Sequence, residues 1–162
     1  MPPKLISIEE ARTRVLAEAL PLPVETRAIT DALGLVLAED IVAQHDVPPF
    51  DNSAMDGFAL RAADTVDAGP DNPVTLAVIE TLAAGHVADH SLEPGKAIKI
   101  MTGAPIPIGA DAVVQSEHVE EADGSVKIFE PARPGRNIRR AGEDVGAGDR
   151  VLTSGTALWP AE

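Results

Sequence analysis

The sequence predicts an α+β fold that is rich in β structure, with one N-terminal helix and a compact, mostly antiparallel β domain. Short runs of β-type residues follow one another closely, and each is bounded by Gly, Pro or Asp, as is typical of antiparallel sheets. A single stretch combines helical periodicity with a capping signal. The 162 residues are enough for one ordinary domain or two small ones with a hydrophobic core.

The helix is predicted at residues 8–20. Ser7 stands in the N-cap position and Glu10 follows three residues later, which is the capping-box pattern. Apolar side chains recur at helical spacing along this stretch: Ile8, Ala11, Val15, Leu16 and Ala19. Pro21 and Pro23 then end the helix, because proline cannot continue the hydrogen-bond ladder.

Three short elements are expected between the helix and the β domain. Residues 24–29 alternate as a strand does, and residues 30–34 form a helical turn that a glycine closes. Residues 35–42 are apolar enough for a buried strand or a short helix, and the strand is favoured.

The β domain is predicted at residues 47–140. Residues 64–73 are rich in Asp, Gly and Pro and should form an exposed loop. The expected strands are the β-type runs at residues 74–79, 97–100, 112–114 and 126–129. Two more short strands are expected after Gly142.

Composition and charge narrow the class of protein. The chain has 13 Lys and Arg against 26 Asp and Glu, a net charge of −13, which repels nucleic acids and anionic membranes. It contains no cysteine and no apolar run long enough to span a membrane, so we expect a cytoplasmic protein with neither nucleic acid nor membrane as a partner. His86 and His90 lie in loop-type sequence and are not predicted to bind zinc.

The stretch at residues 48–61 is the most distinctive part of the chain. Residues 51–53 are Asp, Asn and Ser, whose short side chains hydrogen-bond to nearby backbone and favour a turn. Asp56 then places a carboxylate beside Gly57, where the backbone can bend sharply. Three large apolar side chains are expected to pin this turn to the core: Phe50, Met55 and Phe58.

Four loops combine glycine with oxygen-bearing side chains: residues 51–56, 101–105, 109–111 and 142–144. Such oxygens are the ligands that Mg²⁺ prefers. Thr102 and Gly103 can offer a hydroxyl and free N–H groups to an anion, and nearby arginines offer charged donors. Those arginines are Arg136, Arg139 and Arg140. The sequence therefore fits a hard cation beside a bound oxyanion.

Each of these features also has a structural interpretation, which spacing alone favours. Asp56 forms a common turn pair with the glycine after it, and Thr102 could simply end a strand. The arginines at residues 133–140 could form a solvated or salt-bridged patch, to which Glu143 and Asp144 would pair across a hairpin.

The same residues carry a resemblance to a known family. Four ordered segments match its pattern, at residues 46–59, 100–107, 109–114 and 137–144. Along essentially its whole length, the chain resembles the N-terminal part of the molybdopterin molybdenumtransferases, which include bacterial MoeA and the E domain of gephyrin. Ordered matches of this length are far more specific than a lone glycine pattern.

The resemblance implies an enzyme of molybdenum cofactor biosynthesis, which inserts molybdate into adenylylated molybdopterin and releases AMP with the help of Mg²⁺. It implies a homodimer whose active cleft lies between this β-rich domain and the pterin-binding domain of the neighbouring subunit. Molybdopterin adenylyltransferase is a further implied partner.

The resemblance also assigns roles to individual residues. Asp56, Thr102 and Asp144 match the catalytic positions of the family, and Asp56 and Asp144 would hold the metal. Ser53, Arg139 and Arg140 are the predicted substrate-binding residues.

The implied fold is an elongated, dimer-forming domain of residues 1–46 and 141–162, interrupted by the β domain of residues 47–140. Family members continue into a pterin-binding domain that has no counterpart in these 162 residues. We therefore expect a fragment that supplies one wall of the site and is inactive alone. The alternatives are a non-catalytic module for dimerisation or partner docking, and a generic oxyanion- or nucleotide-binding domain.

Overall fold

The computed structural model describes residues 5–162, which are mostly β structure with one α-helix. The helix, α1, spans Ile8–Ala17. The strands, β1 to β10, are Ile41–Val42, Asn52–Ser53, Gly57–Leu60, Val74–Leu82, Lys96–Ile100, Ala112–Gln115, Val119–Ala122, Ser125–Ile128, Ile138–Arg139 and Arg150–Leu152. Short 3₁₀ turns lie at Ile29–Asp31, Ala62–Thr65 and Ser116–His118. The predicted β-rich α+β class is confirmed.

The largest element is a six-stranded sheet in the order β6-β3-β5-β4-β8-β7. Its neighbouring strands are antiparallel except for β4 and β5, which run parallel. Successive residues of β3 point to opposite faces, so Phe58 and Leu60 pack into one buried cluster and Ala59 into another. Because both faces are covered, all four residues of β3 are buried.

Two short pairings accompany the sheet. In one, β2 runs antiparallel to β9, with Asn52 opposite Arg139 and Ser53 opposite Ile138; we call this pair the ribbon. In the other, β1 pairs with β10. The ribbon is the element that carries the candidate site.

The chain divides into two compact units. One contains the described chain up to Asp40 together with Leu152–Glu162, and the other is Ile41–Val151, which holds the six-stranded sheet and the ribbon. The sequence placed the corresponding boundaries at residues 46 and 141. The dimer-forming role expected for the discontinuous part stays a prediction.

The N-terminal cap of α1 is as predicted, because the Ser7 hydroxyl accepts a hydrogen bond from the Glu10 N–H at 3.1 Å. The helix is shorter than predicted and ends at Ala17, with Glu18 as its C-cap. None of its residues is buried, so its apolar side chains face solvent in this chain. Among residues 5–162, no helix has both the length and the apolar character needed to cross a membrane.

Two predictions for residues 24–42 are wrong. Residues 24–29 form no strand and are all exposed, since their alternating pattern meets no partner strand in the described chain. The stretch at residues 35–42 is mostly exposed rather than buried, and only Ile41–Val42 is a strand. The helical turn is confirmed by the 3₁₀ turn at Ile29–Asp31 and by Gly34, whose φ is +78°.

The four strands predicted in the β domain are confirmed as β4, β5, β6 and β8. After Gly142 only one named strand forms, β10, where two were expected. Of the three apolar side chains expected to pin the turn at residues 51–56, only Phe58 is buried. Phe50 and Met55 are 44% and 41% exposed.

Candidate functional site

The centre of the candidate site is a hydrogen-bonded pair, Asp56 and Thr102. The Thr102 backbone N–H and its hydroxyl both donate to Oδ1 of Asp56, each at 2.7 Å. These two donors lower the pKa of Asp56 below the ordinary aspartate value, so the group is a carboxylate at neutral pH. Asp56 is an exposed residue, and within residues 5–162 no hydrogen-bond donor reaches its second oxygen, Oδ2.

The six-stranded sheet brings this pair together. Asp56 directly precedes β3 and Thr102 lies two residues after β5, and Gly57 is opposite Ile100 in the antiparallel register. Because these two residues are paired, the start of β3 and the end of β5 lie at the same end of the sheet. Asp56 and Thr102, which are 46 positions apart in sequence, therefore become neighbours. The Ser116 N–H donates to the Asp56 carbonyl at 3.1 Å and fixes the turn from the β6 side.

Gly57 is essential to this arrangement for a steric reason. A Cβ atom built on Gly57 would lie 2.1 Å from the Val114 carbonyl oxygen of β6. Only glycine permits β3 and β6 to approach this closely, and this approach positions Asp56 at the start of β3.

Ser53 supports the turn from below. It is completely buried, and its hydroxyl donates to the Met55 carbonyl at 2.6 Å. Its carbonyl accepts from the Gly103 N–H at 2.8 Å, and its own N–H donates to the Ala104 carbonyl at 3.0 Å. Ser53 thus links the turn that contains it, at residues 51–56, to the loop at residues 101–105, and its hydroxyl is buried.

The free N–H groups expected in the Thr102 loop are absent, which corrects the predicted anion cradle. The Thr102 N–H is bound to Asp56 and the Gly103 N–H to Ser53, while the Ala104 N–H donates to the Met101 carbonyl at 3.0 Å. The loop is therefore a device for holding Asp56, and its backbone offers no anion nest.

Three of the four arginines at residues 133–140 form ion pairs in the described chain, as the structural interpretation predicted, and Arg136 pairs with Glu130. Arg139 forms an ion pair with Asp144 across the hairpin, and Arg140 forms one with Asp51. The backbone N–H of Ala141, at 2.9 Å, and then the Arg140 guanidinium hold the pKa of Asp51 below its ordinary value. Each guanidinium has five N–H donors, so both arginines keep donors for a further anion.

The ribbon links the two halves of the site. Asp56 and Thr102 connect through Gly103 to Ser53, which is opposite Ile138, and the next residue, Arg139, holds Asp144. All six predicted site residues lie within this one network or are adjacent to it in sequence. No direct hydrogen bond joins Asp56 to Asp144 in the described chain.

The oxygen ligands of the site fit Mg²⁺ only if a substrate supplies further ligands. Within residues 5–162, no three Asp, Glu, His or Cys side chains cluster closely enough to hold a metal by themselves. Mg²⁺ is usually bound by one or two carboxylates plus the phosphates of a substrate. Asp56 and Asp144 each keep one carboxylate oxygen without a protein donor in the described residues, so they fit a cation that arrives with a phosphate group.

Two residues of the site were assigned no role by the sequence reasoning. Asp51 was interpreted as a turn residue, yet it anchors Arg140 and Ala141 from a position 89 residues away. Asn137 opens the segment at residues 137–144 that carries part of the family resemblance, and it has a left-handed backbone with φ of 53°. An asparagine directly after glycine and arginine, just before a short β-type pair, is the signal that could have identified it.

The fold and the site together define a β-rich domain with carboxylates and guanidinium groups on the end of the sheet and on and beside the adjoining ribbon. Charged groups of these two kinds suit the recognition of anionic, phosphate-bearing ligands. A family model described as "MoeA N-terminal region (domain I and II)" matches residues 6–162. The chain therefore belongs to the MoeA family and corresponds to the N-terminal region of its members.

Individual relatives agree with this placement. The chain is 48% identical over 157 residues to molybdopterin molybdenumtransferase 2 of Mycobacterium tuberculosis, covering 96% of this chain and 38% of that protein. It is 43% identical over 159 residues to the molybdopterin molybdenumtransferase of Bacillus subtilis, covering 96% and 37%. The crystal structure of a molybdopterin biosynthesis moeA protein from Pyrococcus horikoshii matches with a TM-score of 0.93 and 44% identity, covering 98% of this chain and 42% of that one.

The chain thus spans about two fifths of the length of the relatives that it matches.

Proposed function

We propose that this chain is the β-rich wall of a molybdenum transferase, which inserts molybdate into adenylylated molybdopterin and releases AMP. The observation that carries the proposal is the ionised Asp56 held by Thr102 at the edge of the sheet, in a chain that belongs to the MoeA family. The named activity of the relatives supports the reaction class. As the sequence predicts, the reaction would take place in the cytoplasm.

We assign the carboxylates of the site to the cation and the guanidinium groups to the anionic substrate. Asp56 and Asp144 would hold Mg²⁺ through their open carboxylate oxygens, and the cation would neutralise negative charge that develops on the phosphoanhydride and stabilise AMP as it leaves. Thr102 fixes the orientation of Asp56 through two hydrogen bonds, which also favour its charged form and lower its pKa. The remaining donors of Arg139 and Arg140 would orient the oxyanions of molybdate or phosphate.

The site would be completed by a second subunit. Helix α1 has no buried residue, and its apolar side chains Ile8, Val15 and Leu16 are 83%, 70% and 57% exposed. Apolar side chains concentrated on a unit without a core of its own favour an obligate interface. We infer a homodimer in which the neighbouring subunit's pterin-binding domain faces this wall, with molybdopterin adenylyltransferase supplying the substrate. The 162-residue chain alone would then be inactive.

The experiment uses the full-length protein that contains this chain, with adenylylated molybdopterin, molybdate and Mg²⁺. Asp56→Asn or Asp144→Asn should lower the rate of AMP release by roughly 100-fold or more, since each removes a charge from the site. Asp123→Asn is the matched control, because Asp123 lies at an exposed hairpin turn with φ of 50°, which asparagine adopts readily. Native mass measured in parallel should remain that of the dimer in all three variants.

The second candidate function is a non-catalytic assembly module, which the exposed face of α1 favours. On that hypothesis the Asp56 and Asp144 variants insert molybdenum at the wild-type rate, and the chain contributes only to dimer mass. AMP release from the isolated 162-residue chain would contradict the composite site. Calorimetric binding of molybdate, tungstate or AMP to this chain alone would instead favour a generic oxyanion- or nucleotide-binding domain.

A further inference from the structure

Asn137, directly before β9, has an unusual backbone conformation and is held by two hydrogen bonds. Its backbone has φ of 53°, a left-handed conformation that asparagine tolerates far better than most residues. Its side-chain Nδ2 donates to the Val113 carbonyl oxygen at 2.9 Å, and its own carbonyl accepts from the Ala54 N–H at 2.9 Å. Because a carbonyl oxygen only accepts, the group facing Val113 must be the NH₂ of the amide.

This residue joins the six-stranded sheet to the ribbon. Val113 belongs to β6, an edge strand of the sheet, and its N–H donates to the Arg136 carbonyl at 2.9 Å. The Asn137 side chain donates back to the carbonyl of the same residue, so two hydrogen bonds tie the turn before β9 to β6. Two residues later comes Arg139, which lies opposite Asn52 in the ribbon and binds Asp144.

We propose that Asn137 is a positioning residue, which sets the location of Arg139, and through it Asp144, relative to the acidic turn at residues 51–56. The catalytic part of this inference rests on the proposed function. Of asparagine, aspartate, glycine and alanine, only asparagine meets both requirements: glycine adopts the backbone but has no donor, and aspartate would place an acceptor against the Val113 carbonyl. Alanine lacks the donor and disfavours the left-handed backbone.

The test compares Asn137→Gly and Asn137→Asp with a control of similar stability loss, Val126→Ala in β8, whose side chain is fully buried in the core. The glycine variant keeps the backbone conformation and is therefore the variant that retains the fold most securely. In the full-length protein, both Asn137 variants should lower kcat for AMP release by about 10- to 100-fold, with aspartate the more severe, because small displacements of orienting groups carry costs of this size. Val126→Ala should leave kcat within about twofold of wild type at a matched loss of Tm.

A second readout is independent of activity. In the 162-residue chain, the Arg139 guanidinium N–H protons should give separate NMR signals when the side chain is held by Asp144. Those signals should merge by exchange in both Asn137 variants and persist in Val126→Ala. This measurement reports the position of Arg139 whatever reaction the full-length protein catalyses.

The outcomes separate the two proposals. If the Asn137 variants keep the Arg139 signals and follow Val126→Ala in kcat and Tm, Asn137 merely stabilises the fold and the inference is wrong. If Asp56→Asn leaves AMP release unchanged, the proposed function fails. The Arg139 signals then still decide whether Asn137 positions the ribbon.

Discussion

Replacing Gly57 by alanine tests the close approach of β3 and β6 on which the position of Asp56 depends. The added Cβ would lie 2.1 Å from the Val114 oxygen, 2.9 Å from the Val114 carbonyl carbon and 3.1 Å from the Gln115 Cα. These are backbone atoms, which no side-chain rotation can relieve. Since non-bonded atoms settle near 3.5 Å, the strands would have to separate by about 1.4 Å.

The expected loss in the free energy of unfolding follows from that displacement. Overpacking of this kind costs about 1–3 kcal/mol, and the loss of one or two flanking hydrogen bonds, including the one from the Ser116 N–H to the Asp56 carbonyl, adds about 1 kcal/mol each. A total of about 3 kcal/mol lowers Tm by about 6–12 °C for a chain of this length. Because Asp56 adjoins Gly57, its backbone should also shift out of the geometry that aligns its carboxylate with the Thr102 donors, so its pKa should rise toward the ordinary aspartate value.

The assay is urea unfolding of the 162-residue chain, with Gly69→Ala as the control. Nothing lies within 4 Å of a Cβ built on Gly69, and its φ is not positive, so that variant should stay within about 1 kcal/mol of wild type. Equal midpoints for the two alanine variants would refute the close approach. A stability loss with an unchanged pKa of Asp56 would refute the link between this approach and the site.

Three further predictions concern single groups. Thr102→Val removes the hydroxyl donor but keeps the N–H, so the pKa of Asp56 in an NMR titration should rise part of the way toward 3.8, whereas Thr102→Ser should leave it in place; an unchanged value in the valine variant contradicts the pairing. The pKa of Asp51 is lowered in the folded state, so its charge stabilises the fold above about pH 4 and this contribution is lost as the pH falls through the lowered value. The difference in unfolding free energy between wild type and Asp51→Asn should therefore shrink on acidification, and a constant difference from pH 7 to pH 2 would rule this out. Ile98→Ala, in the fully buried core, should cost about 2–5 kcal/mol, while Ile108→Ala, at an 81% exposed position, should change stability by less than about 0.5 kcal/mol; comparable losses would place the core elsewhere.

Local sequence was sufficient to predict a strand where a run of apolar β-type residues is bounded by turns. Strands β4, β5, β6 and β8 have this pattern, and all four formed where they were predicted. Strand β3 was missed because Gly57–Leu60 follows a turn-rich stretch. Its strand character comes from pairing with β5 on one side and β6 on the other, which no local pattern records.

The opposite error occurred at residues 24–29, where alternation alone indicated a strand. A strand needs a hydrogen-bonding neighbour, and within the described chain these residues have none. In the site, too, local sequence indicated single residues, whereas contacts between distant segments decide which residues meet. Turn chemistry indicated Asp56 and Thr102 as separate loop residues, but only the register of β3 with β5 joins them. The N–H groups expected to be free in the Thr102 loop are occupied by Asp56 and Ser53, which come from a distant segment.

The pairing of β1 with β10 has a consequence for how this domain can be built into other chains. It brings the two ends of Ile41–Val151 side by side, with the Ala43 N–H donating to the Asp149 carbonyl at 2.8 Å and Gly148 returning a bond of the same length. A module whose termini are neighbours can replace a surface loop of a host protein at little entropic cost, because the host needs to span only the gap of a normal turn. Its ends could likewise be joined by a short linker and reopened elsewhere, which makes Ile41–Val151 a natural candidate for circular permutation.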